Sequence, residues 1–229
     1  MFAGISVIVG AYLFGSIPHL HLLARIRRID LSGDFHQDLW HRGGKILGIA
    51  GVTGEFIKGT VPVLVARALG FDIVFIALAG LAAVSGQMWP VFTRFDGEKG
   101  NSIAIAMSIA LVPVPALVAL TPVIVAVAIR TAPRIFAGSG PGNRPPVIGG
   151  PFSRSLPLGM LACFLVLPFA AWGFGEAPAV IWSCAALFLF IMLRRLTAGL
   201  ARDLKSGAGV MAIVGRRLLY DRATVGWRE

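Results

Sequence analysis

The sequence predicts an all-α protein, a polytopic bundle of about seven transmembrane helices, and two observations carry this prediction. The first is composition, because 56% of the 229 residues are hydrophobic, 14% are charged and the mean hydropathy is +0.80. No ordinary soluble domain has such a composition. The second is the length of several apolar runs. A helix needs about 20 residues to cross a bilayer core of about 30 Å, and these runs are close to that length.

The predicted spans are separated by segments of very different length, the longest of which are residues 25–45 and 130–155. We place them at residues 2–24, 46–69, 72–91, 101–112, 115–129, 156–174 and 177–193. Together they form a single transmembrane bundle over residues 1–193. Residues 194–229 form a basic amphipathic tail that we expect to lie on cytoplasmic lipid.

The apolar run from 101 to 129 allows two interpretations. It is either one long tilted helix or two short helices broken at Pro113 and Pro115. With two crossings, 19 of the 21 Lys and Arg residues lie in segments on the same side of the membrane. The positive-inside rule favours that arrangement, which puts the N-terminus outside and the C-terminus in the cytoplasm.

The net charge of +10 is explained by the same bias of membrane loops. We therefore expect membrane lipid and no nucleic acid among the partners of the chain. The sequence identifies no protein partner.

Charged and titratable residues also lie within the predicted spans. Glu55 and Lys58 share one helical face, and a lone charge near mid-bilayer costs roughly 2.5–3.5 kcal/mol. They therefore either pair with each other or face a polar cavity. His19 and His21 either form interhelical hydrogen bonds or take part in chemistry. Residues 25–45 are predicted to be a polar loop without the spacing of a zinc site, so no metal is expected.

A polar, glycine-containing stretch from Gly86 to Asn101 lies between two apolar runs, with Lys99 just before the next predicted helix. Unpaired N–H groups at a helix start attract an anion, and Gly97 and Gly100 would let a ligand approach the backbone. The alternative is an ordinary interfacial loop whose charged residues neutralise one another: Arg94, Asp96, Glu98 and Lys99.

Four segments, taken in order, resemble the PlsY family of bacterial acyl-phosphate:glycerol-3-phosphate acyltransferases. They are Tyr12–Pro18, Glu55–Gly59, Gly80–Phe92 and Phe95–Gly100, and the resemblance covers about residues 8–110. It implies a seven-helix enzyme of the bacterial inner membrane with its site on the cytoplasmic face. Such an enzyme moves a fatty acyl group from an acyl phosphate to the 1-hydroxyl of glycerol 3-phosphate, without a cofactor, a metal or a covalent acyl-enzyme.

The resemblance also implies which residues bind substrate. The expected phosphate-binding residues are Ser32, Gly33, Arg42, Lys58, Gly97, Lys99 and Gly100. Further substrate contacts are expected from Gln87, Arg94, Asn101 and Ser155. No residue is assigned a catalytic role, because positioning of two phosphate compounds by cationic groups and backbone donors can supply much of the rate.

Several positions depart from the family's motifs. Asp34 and His36 stand in place of an amide and a glycine, and Gln87 stands in place of a histidine. Asp96 and Glu98 replace a lysine and a glycine. The family's third motif, His-x-x-Asn-x-x-Arg-Leu, is not recognisable. Two hypotheses follow: a divergent acyltransferase, or a non-catalytic relative that binds a lipid phosphate or a protein partner.

Overall fold

The computed structural model describes residues 2–30, 35–136, 155–205 and 209–221, and every regular element in these ranges is helical. A short 3₁₀ helix lies at Val91–Thr93. The α-helices are α1 Phe2–Ser16, α2 His19–Ile26, α3 Phe35–Gly43, α4 Lys45–Ala68, α5 Ile73–Met88, α6 Asn101–Leu111, α7 Pro113–Ala119, α8 Thr121–Phe136, α9 Ser155–Gly173, α10 Pro178–Thr197, α11 Leu200–Leu204 and α12 Val210–Tyr220.

Six helical segments of the described chain are long and apolar enough to cross a membrane. They are Phe2–Ile26, Lys45–Ala68, Ile73–Thr93, Pro113–Ala132, Ser155–Gly173 and Pro178–Thr197. Helix α6 is also apolar but has only 11 residues. That α6 makes a seventh crossing stays a prediction.

The apolar run from 101 to 129 is interrupted at Val112, which lies outside the helical region at φ −137° and ψ 74°. Pro113 then opens α7, a position where a helix needs no N–H donor. The Leu111 carbonyl would normally accept a bond from residue 115, but Pro115 has no N–H. Arg67 of α4 supplies the missing donor, with its Nη2 at 3.2 Å from the Leu111 oxygen.

The first predicted span, residues 2–24, contains a break in its helix. Helix α1 ends at Ser16 and α2 begins at His19, because Pro18 lacks the N–H that would continue the ladder. The break leaves the Ile17 carbonyl outside the regular helical pattern. The Ile17 carbonyl oxygen instead accepts a hydrogen bond of 2.8 Å from Nζ of Lys58 in α4.

The predicted polar loop at 25–45 is wrong in its second half, which forms helix α3. Leu39 is the reason, since it is fully buried and packs with Leu20 and Ala24 of α2 in a small apolar cluster. Gly48 of α4 lies so close to Trp40 that an added Cβ would collide with the indole ring. Helix α3 is therefore packed against α2 and α4 rather than solvated.

The centre of the bundle is α5, which contacts α1, α4, α6 and α10. Small residues allow this close packing, as is usual between transmembrane helices. A Cβ at Gly15 of α1 would collide with the backbone of Ala83, and one at Gly86 of α5 would collide with the carbonyl of Tyr12. The backbones of α1 and α5 are thus in direct contact beside the break at Pro18.

The C-terminal region differs from the predicted lipid-lying tail. The predicted boundary at 193 falls inside α10, and Arg194 and Arg195 in the last turn of that helix are both buried. Helix α12 packs back against α9 and α10. Its Arg217 is 2% exposed and binds Asp203 of α11 through Nε at 2.8 Å and Nη2 at 2.7 Å. This buried ion pair explains the folding back.

Candidate active site

A small pocket, open to the outside, lies where the α1–α2 break meets the C-terminal end of α5 and the loop that follows it. Residues from all three parts line it, including Ser16, His19, Phe35, Gln87, Gly97 and Glu98. The pocket thus brings together residues of three of the four family-like segments, Tyr12–Pro18, Gly80–Phe92 and Phe95–Gly100.

Lys58 supplies positive charge to the wall of this pocket. The residue is 4% exposed, and its Nζ donates to the Ile17 carbonyl at 2.8 Å and to Oε1 of Gln87. Nδ1 of His19 is 3.4 Å from the same nitrogen. All three of these partners line the pocket. The ammonium group is therefore fixed, desolvated and adjacent to the cavity.

Gln87 connects Lys58 to Glu55, so the two charged residues of α4 meet through an amide rather than directly. The Gln87 Nε2 donates to Oε1 of Glu55 at 3.2 Å, while its Oε1 accepts from Lys58. Glu55 and Lys58 thus neither pair directly nor line the pocket themselves, and the residue that joins them, Gln87, does line it. The other predicted interhelical bond is made by His19, whose Nε2 is 3.0 Å from the Gly51 carbonyl of α4.

A cluster of one histidine and two carboxylates lies beside this network. Nε2 of His36 is 3.1 Å from Oε1 of Glu55 and 3.5 Å from Oε2 of Glu98. The three side chains come from α3, α4 and the loop before α6. Burial, and after it the neighbouring Glu55 carboxylate, raise the pKa of Glu98 to about 8. These are donor types that could hold a metal ion.

The loop before α6 is held in place by α10 and α5. Arg194 donates to the carbonyls of Gly97 and, at 3.2 Å, Glu98, and it lies 3.6 Å from the Asp96 carboxylate. The N–H of Glu98 donates to the Gln87 carbonyl at 3.1 Å. A Cβ at Gly97 would collide with that same carbonyl and with the ring of Pro90. Glycine is therefore required at this contact.

Lys99, which the sequence predicted to bind phosphate, faces a different partner. Its Nζ lies 3.1 Å from Oδ2 of Asp221 and donates to the Asp221 carbonyl at 2.8 Å, and the side chain is half exposed. Lys99 thus joins the loop to the end of α12. Gly100 at φ +74° then precedes the first residue of α6, a backbone position suited to glycine.

Among the described residues, four further predicted contacts, Arg42, Arg94, Asn101 and Ser155, do not line the pocket. Arg42 is exposed and donates to the Asp30 carbonyl at 3.1 Å, and Ser155 donates to the Ala126 carbonyl at 3.0 Å. Arg94 is exposed in the turn and Asn101 is the first residue of α6. Ser32 and Gly33 lie outside the described residues.

Three residues of the site were not predicted as binding residues: His36, Glu98 and Arg194. His36 and Glu98 were noted only as departures from a motif, and nothing in their spacing links them to Glu55. Arg194 had a detectable signal, because an arginine in the last turn of an apolar span needs a partner.

The fold and the site together define a multi-pass membrane protein, helical throughout its described residues, with a polar pocket beside the buried ammonium group of Lys58. A family model described as glycerol-3-phosphate acyltransferase matches residues 5–139, which is more than half of the chain. The chain belongs to this family and is a membrane acyltransferase.

Individual relatives agree with the family match. The chain is 32% identical over 223 residues to glycerol-3-phosphate acyltransferase 4 of Dehalococcoides mccartyi (strain CBDB1), covering 94% of this chain and 88% of the relative. It is 40% identical over 134 residues to a glycerol-3-phosphate acyltransferase of Trichlorobacter lovleyi, covering 56% of this chain and 69% of the relative.

A solved structure shows the same fold. The crystal structure of PlsY, an integral membrane glycerol 3-phosphate acyltransferase, in its lysophosphatidic acid form matches with a TM-score of 0.66 at 23% identity. The match covers 90% of this chain and 94% of that chain. The glycerol 3-phosphate form matches with a TM-score of 0.65 at 22% identity.

Proposed function

We propose that the chain transfers a fatty acyl group from an acyl phosphate to the 1-hydroxyl of glycerol 3-phosphate in the pocket beside Lys58. The observation that carries this proposal is the buried ammonium of Lys58, all of whose hydrogen-bonding partners line the cavity. A desolvated cation attracts a phosphate far more strongly than one in water, because the local dielectric constant is low. Its partner Gln87, which is itself bound to Glu55, holds it in one position.

The reaction needs positioning more than it needs a nucleophile from the protein. The hydroxyl oxygen of the acceptor attacks the acyl carbon, the bond from that carbon to the phosphate oxygen breaks, and phosphate leaves with the electron pair while the hydroxyl proton is released. Both substrates carry phosphate, so fixed cations can align the two reacting groups and stabilise the developing charge. Lys58 is suited to this role, since its position is set by three contacts.

The proposed location is the cytoplasmic face of a bacterial inner membrane. Its support is the distribution of Lys and Arg, most of which lie on one side when the chain crosses seven times. The pocket lies between the C-terminal end of α5 and the loop before α6, which is on that basic side. A water-soluble acceptor and a membrane-soluble donor can meet at such a position.

Lysophosphatidic acid formation tests the proposal. The full-length protein in lipid is supplied with palmitoyl phosphate and radiolabelled glycerol 3-phosphate, and the Lys58→Met variant is compared with the wild type. We expect roughly a 100-fold or greater loss of transfer, because a preorganised charge is removed from the reacting groups. Lys45→Met is the matched control, since Lys45 is exposed at the start of the same helix.

The two measurements test the location of the site and the proposed reaction separately. If Lys58→Met transfers acyl groups as fast as the wild type does, the pocket is wrongly assigned. If the folded wild-type protein forms no product, the proposed reaction is wrong.

A further inference from the structure

Three departures from the family's motifs converge on one point of this structure. His36 and Glu98 each stand where the family has glycine, and Gln87 stands where it has histidine. His36 contacts both Glu55 and Glu98, and Gln87 donates to Glu55. The three substituted residues therefore lie together in one cluster around Glu55 and are not spread over the molecule.

We propose that His36, Glu55 and Glu98 bind a divalent cation at the pocket, and that this cation contacts a phosphate group of the substrate beside Lys58. The second half of this inference rests on the proposed function. The first half, the cation site itself, stands on the geometry of the three side chains.

The separations between the donor atoms suit a single ion. Two ligands that each lie about 2.1 Å from one ion, at angles of about 90–110°, are about 3.0–3.4 Å apart. Nε2 of His36 is 3.1 Å from Oε1 of Glu55 and 3.5 Å from Oε2 of Glu98. Each of the three residues offers one ligand atom within 4.8 Å of the other two.

The charge balance of the cluster also favours a cation. Glu55 is 2% exposed and the side chain of Glu98 is 19% exposed, so two carboxylates face each other largely out of water. Lys58 reaches Glu55 only through the amide of Gln87. A cation between the two carboxylates would remove their mutual repulsion at the point where it is least screened.

A cation also accounts for acidic residues beside a phosphate site. Asp96 and Glu98 replace a lysine and a glycine of the family's loop, which lowers the positive charge available to a phosphate. A divalent ion held by Glu98 and Glu55 would return positive charge to the pocket. Magnesium-like ions are commonly held this way, by one or two carboxylates and the substrate's own phosphate.

The donor set indicates the class of ion. One imidazole nitrogen and two carboxylate oxygens suit Mn²⁺ or Zn²⁺ better than Ca²⁺, which prefers oxygen ligands alone. Three protein ligands leave coordination positions open for a phosphate oxygen and water.

The test measures Mn²⁺ binding without turnover. The full-length protein, freed of metal with a chelator and placed in phosphatidylcholine nanodiscs, is titrated with Mn²⁺ and followed by electron paramagnetic resonance. We expect one tightly bound ion per chain, with ¹⁴N modulation in the spin echo from the His36 imidazole. Inorganic phosphate should tighten Mn²⁺ binding, because it would occupy an open position.

His36→Gly and Glu98→Gly are the decisive variants, since each introduces the residue type that the family has at that position. We expect each to weaken Mn²⁺ binding by about tenfold or more, and His36→Gly to abolish the ¹⁴N modulation. Asp96→Asn is the matched control, because it removes a charge from the same loop without removing a predicted ligand. Its Mn²⁺ affinity should equal that of the wild type.

The alternative is that the three side chains are joined only by hydrogen bonds. Absence of a stoichiometric Mn²⁺ site in the wild type, or unchanged binding in both glycine variants, would overturn the inference. A lack of any effect of phosphate would overturn its second half. Neither result depends on acyl transfer, so the failure of this inference and the failure of the proposed function are distinguishable.

Discussion

Gln87 is the residue on which the charge network of the pocket depends. Its amide uses both ends, since Nε2 donates to Glu55 and Oε1 accepts from Lys58, and the residue is 4% exposed. A histidine at this position, as in the family's motif, would also offer a donor and an acceptor. Glutamine in place of histidine therefore changes the geometry of the link between Lys58 and Glu55 but keeps one donor and one acceptor in it.

Replacing Gln87 with leucine should lower stability, because Lys58 and Glu55 would both lose a buried partner. A cost on the order of 1–3 kcal/mol is expected for such a loss, seen as a lower Tm of the protein in detergent. Gln87→His is the control and should lower the Tm less. Equal Tm values for the wild type and Gln87→Leu would mean that the amide bridge does not contribute to stability.

At the scale of elements, a buried ion pair joins α11 to α12. Asp203 and Arg217 are both buried, and Arg217 also donates to the carbonyls of Leu196 and Ala198 beyond the end of α10. The Arg217 side chain thus donates hydrogen bonds to carbonyls at the end of α10 and holds α12 against that helix. Asp221, at the end of α12, in turn pairs with Lys99 of the loop before α6.

Asp203→Ala should release α12 from the bundle, because it leaves Arg217 buried without its carboxylate. The expected cost is about 3–5 kcal/mol, which should appear as faster amide hydrogen exchange over Val210–Tyr220. The double variant Asp203→Leu with Arg217→Met should recover part of the protection, since it leaves no buried charge unpaired. Unchanged exchange in Asp203→Ala would contradict this account of the folding back.

Local packing explains which elements were predictable. The interruption at Pro113 was visible in the sequence, because proline restricts the backbone wherever it occurs. Helix α3 was not visible, because eight of its nine residues are polar, aromatic or glycine and its burial depends on the contact of Leu39 with Leu20 and Ala24. The cluster of His36, Glu55 and Glu98 was also hidden, since it joins three distant segments.

At the scale of the whole molecule, composition was enough to predict an integral membrane protein, and the positive-inside rule was enough to choose a topology. The number of crossings depends on α6, which has 11 residues and is short for a span. If α6 crosses, the turn at Glu176 lies outside and Lys205 lies in the cytoplasm. If it does not, both assignments reverse.

Cysteine labelling from outside intact spheroplasts tests the seven-span topology. Cys163 and Cys184, the two cysteines of the chain, are first replaced by alanine, and Glu176→Cys and Lys205→Cys are then compared. A membrane-impermeant maleimide should label the variant at 176 and leave the one at 205 unlabelled until the membrane is opened. The reverse pattern would contradict the predicted topology and, with the N-terminus outside, would mean six crossings.

The break at Pro18 has a consequence for how the chain is made. The Ile17 carbonyl meets Lys58 only after a further 41 residues have been synthesised. Until α4 is inserted, that oxygen has one neighbour, the N–H of His19, and must otherwise be hydrated. The polar break in the first hydrophobic segment is therefore completed by a donor from the second, and the two segments are paired at this point in the folded protein.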